Sequence, residues 1–315
     1  MQRFAALFGG QGAQYPGMGR SLWEEYPAAK RVYECGEDIL GLGLRKISAE
    51  GSERELSRTA VCQPVIFAHS LAAFLAAVEL LPLPDAVAGH SLGEYAALCC
   101  AGSCSLEDGF RVIGARAAVM EAAARTAPGA MVAATGDAER VVEICKKYKN
   151  VWAVNFNTKT QTVISGEEEA CLKAAGELAQ KGVRTTRLSV GSAFHTLLMQ
   201  RAADELKERL KGIKFQSPKI TFYSNLTGGR LSPADFPDYF ASHMVSPVCF
   251  AQEIAAITAD GITACVEFGP KRTAATLAKK NNRELEILNV EDADTLRAAV
   301  GGMAGSGRSR SGMNS

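Results

Sequence analysis

The chain has 315 residues, enough for one large domain carrying an insertion or for two domains. Its 47% hydrophobic and 22% charged residues are ordinary for a soluble globular protein, and a formal net charge of +1 removes any global electrostatic case for nucleic acid or an anionic membrane. Nine cysteines are scattered along it, and the cluster Cys99, Cys100 and Cys104 lies in a small-residue helical segment with no histidine nearby, so it reads as buried thiols rather than a metal site.

Residues 3–8 read as a buried first strand that opens into Gly9-Gly10-Gln11-Gly12-Ala13-Gln14. This loop has neither G-x-G-x-x-G nor a following Lys-Ser/Thr, so no nucleotide cradle is indicated. A glycine-rich turn after a first strand still presents backbone N–H groups to a ligand. Helical stretches are expected over residues 21–40 and 64–81. The most apolar run, 65–83, contains His69, Ser70, Glu79 and Pro82 and suits a core helix better than a membrane span. Arg3 and the loop close behind it argue against a secretory signal, and a reduced cytoplasmic compartment is the expectation.

A second short apolar run, 85–88, leads into Gly89-His90-Ser91-Leu92-Gly93, and a helix-like run starts at Glu94. Strand, tight turn and helix with a serine at the apex is the setting of a nucleophile elbow. The glycines remove side chains where the backbone turns sharply, and the helix N-terminus places N–H groups beside the serine. A capped strand-to-helix turn would carry the same pattern without any chemistry.

The next helix starts near Ser105, with Asp108 placed as in a capping box, and its periodicity continues to about Arg125. At about 100° per residue, Val112, Ile113, Val119 and Met120 fall within about 60° of Arg116. Glu107, Arg111, Glu121 and Arg125 lie about 140° or more away. Arg116 therefore sits on the apolar face, where a guanidinium is costly unless paired. Its partner is either a core carboxylate or a substrate carboxylate gripped by a bidentate pair.

From Gly129 the pattern becomes strand 129–135, helix 137–148, strands 151–156 and 160–165, helix 167–181 and strand 183–190. The order βαββαβ is that of a ferredoxin-like unit. We expect an α/β fold with a large α/β-hydrolase-like, parallel-sheet domain (1–126 and 191–300), this inserted subdomain (127–190), and a disordered Gly/Ser/Arg tail (301–315). After the insertion come Ala193-Phe194-His195 and a helix over 196–211. Strand 219–223, helix 251–259, strand 264–268, helix 273–280 and strand 285–290 then resume the large domain.

A serine nucleophile needs a base, and the chain has four histidines. His69 belongs to the apolar helix, and His90 adjoins the serine, pointing away from it while still able to line the pocket. His195 lies at a strand-to-helix junction where the insertion rejoins the large domain. His243 lies near a helix end; it would be the base if the chain followed the Ser–acid–His order of α/β-hydrolases, but no acid stands at a distinctive strand end between it and Ser91.

With loop, elbow, arginine and histidine in this order, the chain resembles the malonyl-CoA:acyl carrier protein transacylases and the related polyketide synthase acyltransferases. The resemblance covers roughly residues 3–290. Besides those four features it rests on Asn155-Phe156-Asn157, Val163-Ile164-Ser165-Gly166, Leu198-Met199, Pro247-Val248 and Phe268-Gly269-Pro270. It implies Ser91 as acyl-accepting nucleophile, His195 as general base and later acid, and the Gln11 and Leu92 N–H groups as oxyanion hole. It implies Arg116 as the grip on the malonyl carboxylate, His90, Met120, Asn157 and Phe194 around the pocket, and a Ser-His dyad whose histidine is oriented by a backbone carbonyl, here that of Cys249. Phe194 matches a pattern associated with malonyl over methylmalonyl selection. Gly9, Ala13, Ala117, Glu121, Cys249 and Lys271 depart from the family's usual residues without removing a reactive group.

The expected reaction is transfer of malonyl from malonyl-CoA through Ser91 to the phosphopantetheine thiol of an acyl carrier protein, in fatty acid or polyketide assembly. Malonyl-CoA and the carrier are the expected partners of a monomer with no permanently bound cofactor and no metal. An acyl-thioester hydrolase using the same dyad is the alternative, and a noncatalytic carrier-docking module a third reading.

Overall fold

The computed structural model describes residues 3–126 and 128–306. In chain order the strands are β1 (Phe4–Phe8), β2 (Ala86–Gly89), β3 (Gly129–Thr135), β4 (Val151–Thr158), β5 (Gln161–Glu167), β6 (Arg184–Arg187), β7 (Thr221–Ser224), β8 (Gly229–Arg230), β9 (Ala264–Phe268) and β10 (Glu286–Val290). They form two sheets. One has the order β10-β9-β1-β2-β7-β8, the other β4-β5-β3-β6.

In the larger sheet β10, β9, β1, β2 and β7 run parallel, and only β8 turns back on β7. Every residue of β1, β2 and β9 is buried, which is why these strands read as unbroken apolar runs rather than alternations. The register Phe8↔Gly89, Leu7↔Glu267 and Val87↔Phe222 brings the carboxyl ends of β1, β2, β9 and β7 to one edge. Ligands of open α/β sheets bind at that edge. Here it gathers the Gly9–Gln14 loop, the Gly89–Gly93 turn, the residues after Ser224 and those after Phe268.

The smaller sheet is antiparallel, with helices Ala138–Cys145 and Glu168–Gln180 completing βαββαβ in the expected ferredoxin-like order. It has its own apolar core around Val132, Val141, Ile144, Ile164, Cys171 and Leu178. It is stitched to the large domain by Val248, whose N–H donates to the Val154 carbonyl at 2.7 Å while its own carbonyl accepts from Phe156 at 2.9 Å. A second stitch runs from Asn281 Nδ2 to the Asn157 carbonyl at 2.8 Å.

The apolar run forms helix Thr59–Ala77, long and apolar enough to cross a membrane, yet 89% of its most apolar window is buried inside the protein. His69 is a core residue as expected, its Nε2 2.7 Å from the Glu291 carbonyl. The single helix expected over 21–40 is split into Arg20–Glu25 and Pro27–Leu40, because Pro27 restricts Tyr26 to an extended φ of −118°. Short helices Leu44–Glu50 and Glu53–Leu56 were not expected, while the buried helix Phe236–Val245 puts His243 near a helix end, as expected. The expected tail begins too early: helix Ala293–Ser306 takes in residues 301–306, and the rest of that stretch, 307–315, lies outside the described residues. Cys99, Cys100 and Cys104 are partly exposed rather than buried, and no metal-holding group of His, Cys, Asp or Glu occurs among the described residues.

Candidate active site

Ser91 occupies the apex of the turn between β2 and helix Gly93–Cys100, in the left-handed region at φ 53°. A non-glycine residue is strained there by roughly 1–2 kcal/mol. The turn closes only because Gly89 and Gly93 carry no side chain. A Cβ on Gly89 would lie 2.1 Å from the Gly93 carbonyl carbon, and one on Gly93 would lie 2.0 Å from the Phe8 carbonyl oxygen. The elbow is thus wedged against the end of β1, and the loop that leaves β1 is pressed against it. A Cβ on Gly10 would lie 2.7 Å from the His90 carbonyl oxygen.

His195 is also left-handed, at φ 62°, in a turn secured by Thr196, whose Oγ1 donates to the Ala193 carbonyl at 2.7 Å and accepts from Leu198 N at 3.2 Å. Its Nε2 lies 2.7 Å from Ser91 Oγ. Its Nδ1 faces two carbonyls, Ser246 at 3.1 Å and His243 at 3.2 Å. Carbonyls only accept, so Nδ1 carries the proton and Nε2 is left bare to take the hydroxyl proton of Ser91. The orienting carbonyl is therefore not that of Cys249. Cys249 opens helix Phe250–Ala259, and its carbonyl accepts the N–H groups of Gln252 at 3.0 Å and Glu253 at 3.1 Å.

Burial lowers the His195 pKa to about 3, with the Arg116 charge the next cause and His90 after it. The imidazole is neutral at neutral pH and poised as a base. Among the described residues the Gln11 and Leu92 N–H groups donate to no protein acceptor, as donors reserved for a developing oxyanion must be. The Ser91 N–H is not available for that task, since it donates to Asn225 Oδ1 at 2.8 Å.

Arg116 comes from the helix Leu106–Thr126, where the Asp108 N–H donates to Ser105 Oγ at 3.1 Å as the capping pattern required. Only 2% exposed, its guanidinium carbon lies 4.8 Å from the centre of the Tyr95 ring. Its Nε has no hydrogen-bond partner, and no carboxylate pairs with it among the described residues. The structural alternative of a core salt bridge is thereby removed. Glu121, expected on the outer face, turns to accept the Ala60 N–H at 2.6 Å at the start of helix Thr59–Ala77.

Of the other expected pocket residues, His90 Nε2 is 2.7 Å from Asn157 Oδ1, and Asn157 Nδ2 donates to Gln161 Oε1 at 3.2 Å. Met120 Sδ accepts from the buried Gln63 at 3.2 Å, and Phe194, 7% exposed, packs in the main core. A cavity of about 420 Å³ opens beside the loop, lined in part by Gln11, Gly12, Tyr15, Val190 and Lys271. A larger one, about 890 Å³, lies between the two sheets' domains and collects five cations, Lys159, Arg272, Lys279, Lys280 and Arg283.

A family model for the acyl transferase domain matches residues 6–303. The chain belongs to that family. This acyltransferase is 35% identical over 308 residues to the malonyl CoA-acyl carrier protein transacylase of Bacillus subtilis (strain 168), covering 95% of this chain and 97% of that protein. It is 35% identical over 286 residues to the spectinabilin polyketide synthase system protein NorB of Streptomyces orinoci, covering 87% of this chain but 13% of that one. Among solved structures it superimposes, with a TM-score of 0.91 and 32% identity, on a malonyl-transacylase in complex with its type II polyketide synthase acyl carrier protein, covering 96% of this chain and all of that one (100%).

Sequence reasoning missed a buried polar layer beneath the acyltransferase dyad. Glu94, on the elbow helix, accepts from the Asn225 N–H and from Tyr239 Oη at 2.8 Å, and lies 3.1 Å from His243 Nε2. Burial raises its pKa to about 8, and burial with the nearby Glu94 charge raises that of Glu253 well above the usual range. Glu94 had a signal: a carboxylate on an otherwise apolar helix face, the same anomaly that exposed Arg116. Asn225 and Glu253 had none.

Proposed function

We propose that this acyltransferase carries malonyl groups from malonyl-CoA to the phosphopantetheine thiol of an acyl carrier protein. Ser91 Oγ attacks the thioester carbonyl as its proton passes to His195 Nε2. The carbonyl oxygen becomes an oxyanion held by the Gln11 and Leu92 N–H groups. The intermediate collapses by breaking the C–S bond, and the His195 proton goes to the departing CoA sulfur. The carrier's thiol then gives its proton to the same nitrogen and attacks the malonyl-serine, reversing the sequence. One thioester is exchanged for another, so the transfer is nearly isoenergetic and calls for no redox or activating cofactor.

Arg116 is the observation that carries this reading. A buried guanidinium with no protein carboxylate calls for an anionic acyl group. It also links binding to chemistry. The Arg116 charge helps hold the His195 pKa down, so a malonyl carboxylate that neutralises it raises the basicity of Nε2 as the substrate arrives. The cationic cavity around Lys279 and Arg283 suits the phosphates of CoA, and Phe194 suits an unbranched α-carbon. A single chain supplies every group, consistent with a monomer, and nine unpaired cysteines favour a reducing, cytoplasmic setting.

The test is intact-protein mass measurement after mixing with malonyl-CoA, with and without carrier. A malonyl adduct on Ser91 that persists alone and moves to the carrier is the expected result. Loss to free malonate at the same rate without carrier would replace the transferase by a hydrolase.

A further inference from the structure

Asn225 follows directly on β7 and is fully buried. Counting on from Val87↔Phe222 sets it beside the elbow that follows β2. Its side chain uses every hydrogen-bonding position it has. Oδ1 accepts the Ser91 N–H at 2.8 Å and His243 Nε2–H at 3.2 Å. Nδ2 donates to the Gly89 carbonyl at 2.7 Å and to Glu253 Oε1 at 2.6 Å. Its main chain is fixed as well, the N–H donating to Glu94 and the carbonyl accepting from Cys249 N at 2.9 Å.

These contacts reach both halves of the dyad. The Ser91 N–H, which the left-handed turn aims inward, has Asn225 as its acceptor, and the Gly89 carbonyl before the turn is held by the same amide. On the other side, Asn225 fixes the His243 ring, and the His243 carbonyl is one of two that receive the His195 Nδ1 proton. Both Ser91 and His195 sit at positive φ, a conformation that persists only where surrounding bonds over-determine it.

We propose that Asn225 is the positioning residue of this acyltransferase: one amide holds the strained serine turn and the histidine's orienting carbonyl at the separation that gives the Ser91–His195 hydrogen bond. It touches no reacting atom, and the inference rests on the Ser-His reading of the site. Asparagine is required because the position needs an acceptor and two donors in one plane. Aspartate keeps the acceptor but turns its second oxygen on the Gly89 carbonyl and the Glu253 carboxyl. Leucine fills the space and makes none of the four bonds.

The experiment follows malonyl adduct formation by rapid-quench intact mass in the full chain, for wild type, Asn225→Asp, Asn225→Leu and Ser91→Ala. The expected result for both Asn225 variants is acylation about 10²-fold slower at saturating malonyl-CoA, by analogy with loss of a geometry-setting contact. Half-saturation stays within about threefold, because Arg116 lies outside this network, and the adduct still reaches one per chain. Acylation at the wild-type rate overturns the proposal. So does a fall in final adduct with an unchanged rate per acylated chain, which would mean that Asn225 only helps the protein fold. Should both variants fail to fold, Asn225→Ser, which leaves room for a bridging water, is judged by the same two numbers. Adduct formation by Ser91→Ala would instead overturn the site reading itself, so the two failures are distinguishable.

Discussion

The two ends of this site are built on opposite principles. At the Ser91–His195 end the groups that touch the dyad are matched: His195 Nδ1 by two carbonyls, the Ser91 N–H by Asn225, Asn225 by Gly89, His243 and Glu253; only the far atoms of that layer, His243 Nδ1 and Glu253 Oε2, lack partners among the described residues. At the Arg116 end a full positive charge lies against a Tyr95 face with Nε unpartnered, and the Oε1 of Gln63, whose amide meets Met120 on the Arg116 helix, is also unpartnered. A catalytic pair must be preorganised, because reorienting it during the reaction would add to the barrier. A specificity group must instead leave its strongest interaction to be made by the substrate, since a guanidinium already paired with the protein would discriminate nothing.

Breaking the matched end should be the more damaging. Ser91→Ala is expected to abolish the malonyl adduct and lower transfer about 10⁵-fold or more, as removal of a nucleophile does elsewhere. His195→Ala should come close to it, the pair acting as a unit. Thermal unfolding should barely move for Ser91→Ala, because alanine keeps the Cβ that strains this left-handed position and only the hydrogen bond to His195 is lost. Residual adduct on another side chain, located by peptide mapping, would show that the nucleophile lies elsewhere.

Breaking the unmatched end should change selectivity before it changes chemistry. Arg116→Ala is expected to lower kcat/KM for malonyl-CoA on the order of 10²–10³-fold, the scale of a broken buried ion pair. Acetyl-CoA, which offers no carboxylate, should lose less than about tenfold or gain. Equal losses for both substrates would mean that Arg116 is part of the scaffold and that the contrast between the two ends is false.

What the sequence made legible was whatever depends on neighbours along the chain. The strand–turn–helix around Ser91 and the ferredoxin-like order of the insertion are short-range patterns, whereas the strand order of the larger sheet rests on pairings such as β1 with β9 that no local pattern marks. Arg116 was legible because one charge on an apolar helix face is an anomaly that needs no partner to be noticed. The carbonyl at His195 Nδ1 was misplaced on Cys249 because a backbone carbonyl has no residue identity to mark it. The two residues between Ser246 and Cys249, Pro247 and Val248, decide whether the chain is still leaving helix Phe236–Val245 or already starting the next one. Asn225 was invisible for a different reason: its four partners lie 18 to 136 positions away, so nothing local distinguishes it from a strand-end turn residue.

A smaller effect sharpens the same comparison at the acyl α-carbon. Phe194→Ala should admit methylmalonyl-CoA, raising its kcat/KM relative to malonyl-CoA by roughly 10–100-fold, because one methyl group in an apolar pocket is worth about 1–3 kcal/mol. Competition between the two thioesters for one carrier protein, resolved by mass, measures the ratio directly. An unchanged ratio would return Phe194 to ordinary core packing.

The smallest expected effect is a flat line. A histidine base at its ordinary pKa near 6.5 would cost about tenfold in kcat/KM on going from pH 7.5 to 5.5, as most of it became protonated. With the His195 pKa lowered to about 3, first by burial and then by Arg116, the imidazole stays neutral throughout. Acylation should therefore change less than about twofold over that range. The acid limit should instead be set by unfolding. His69 is lowered to about 4 and His243 well below its ordinary value, both chiefly by burial. Between those folded values and 6.5 the unfolded chain binds protons that the native protein does not, so stability rises with pH across this window and falls as pH drops through it. Acylation rate and melting temperature measured on the same samples separate the two. A rate that falls with an apparent pKa near 6.5 while the melting temperature holds would show that His195 titrates as a solvated histidine, and that the charge of Arg116 does not reach it.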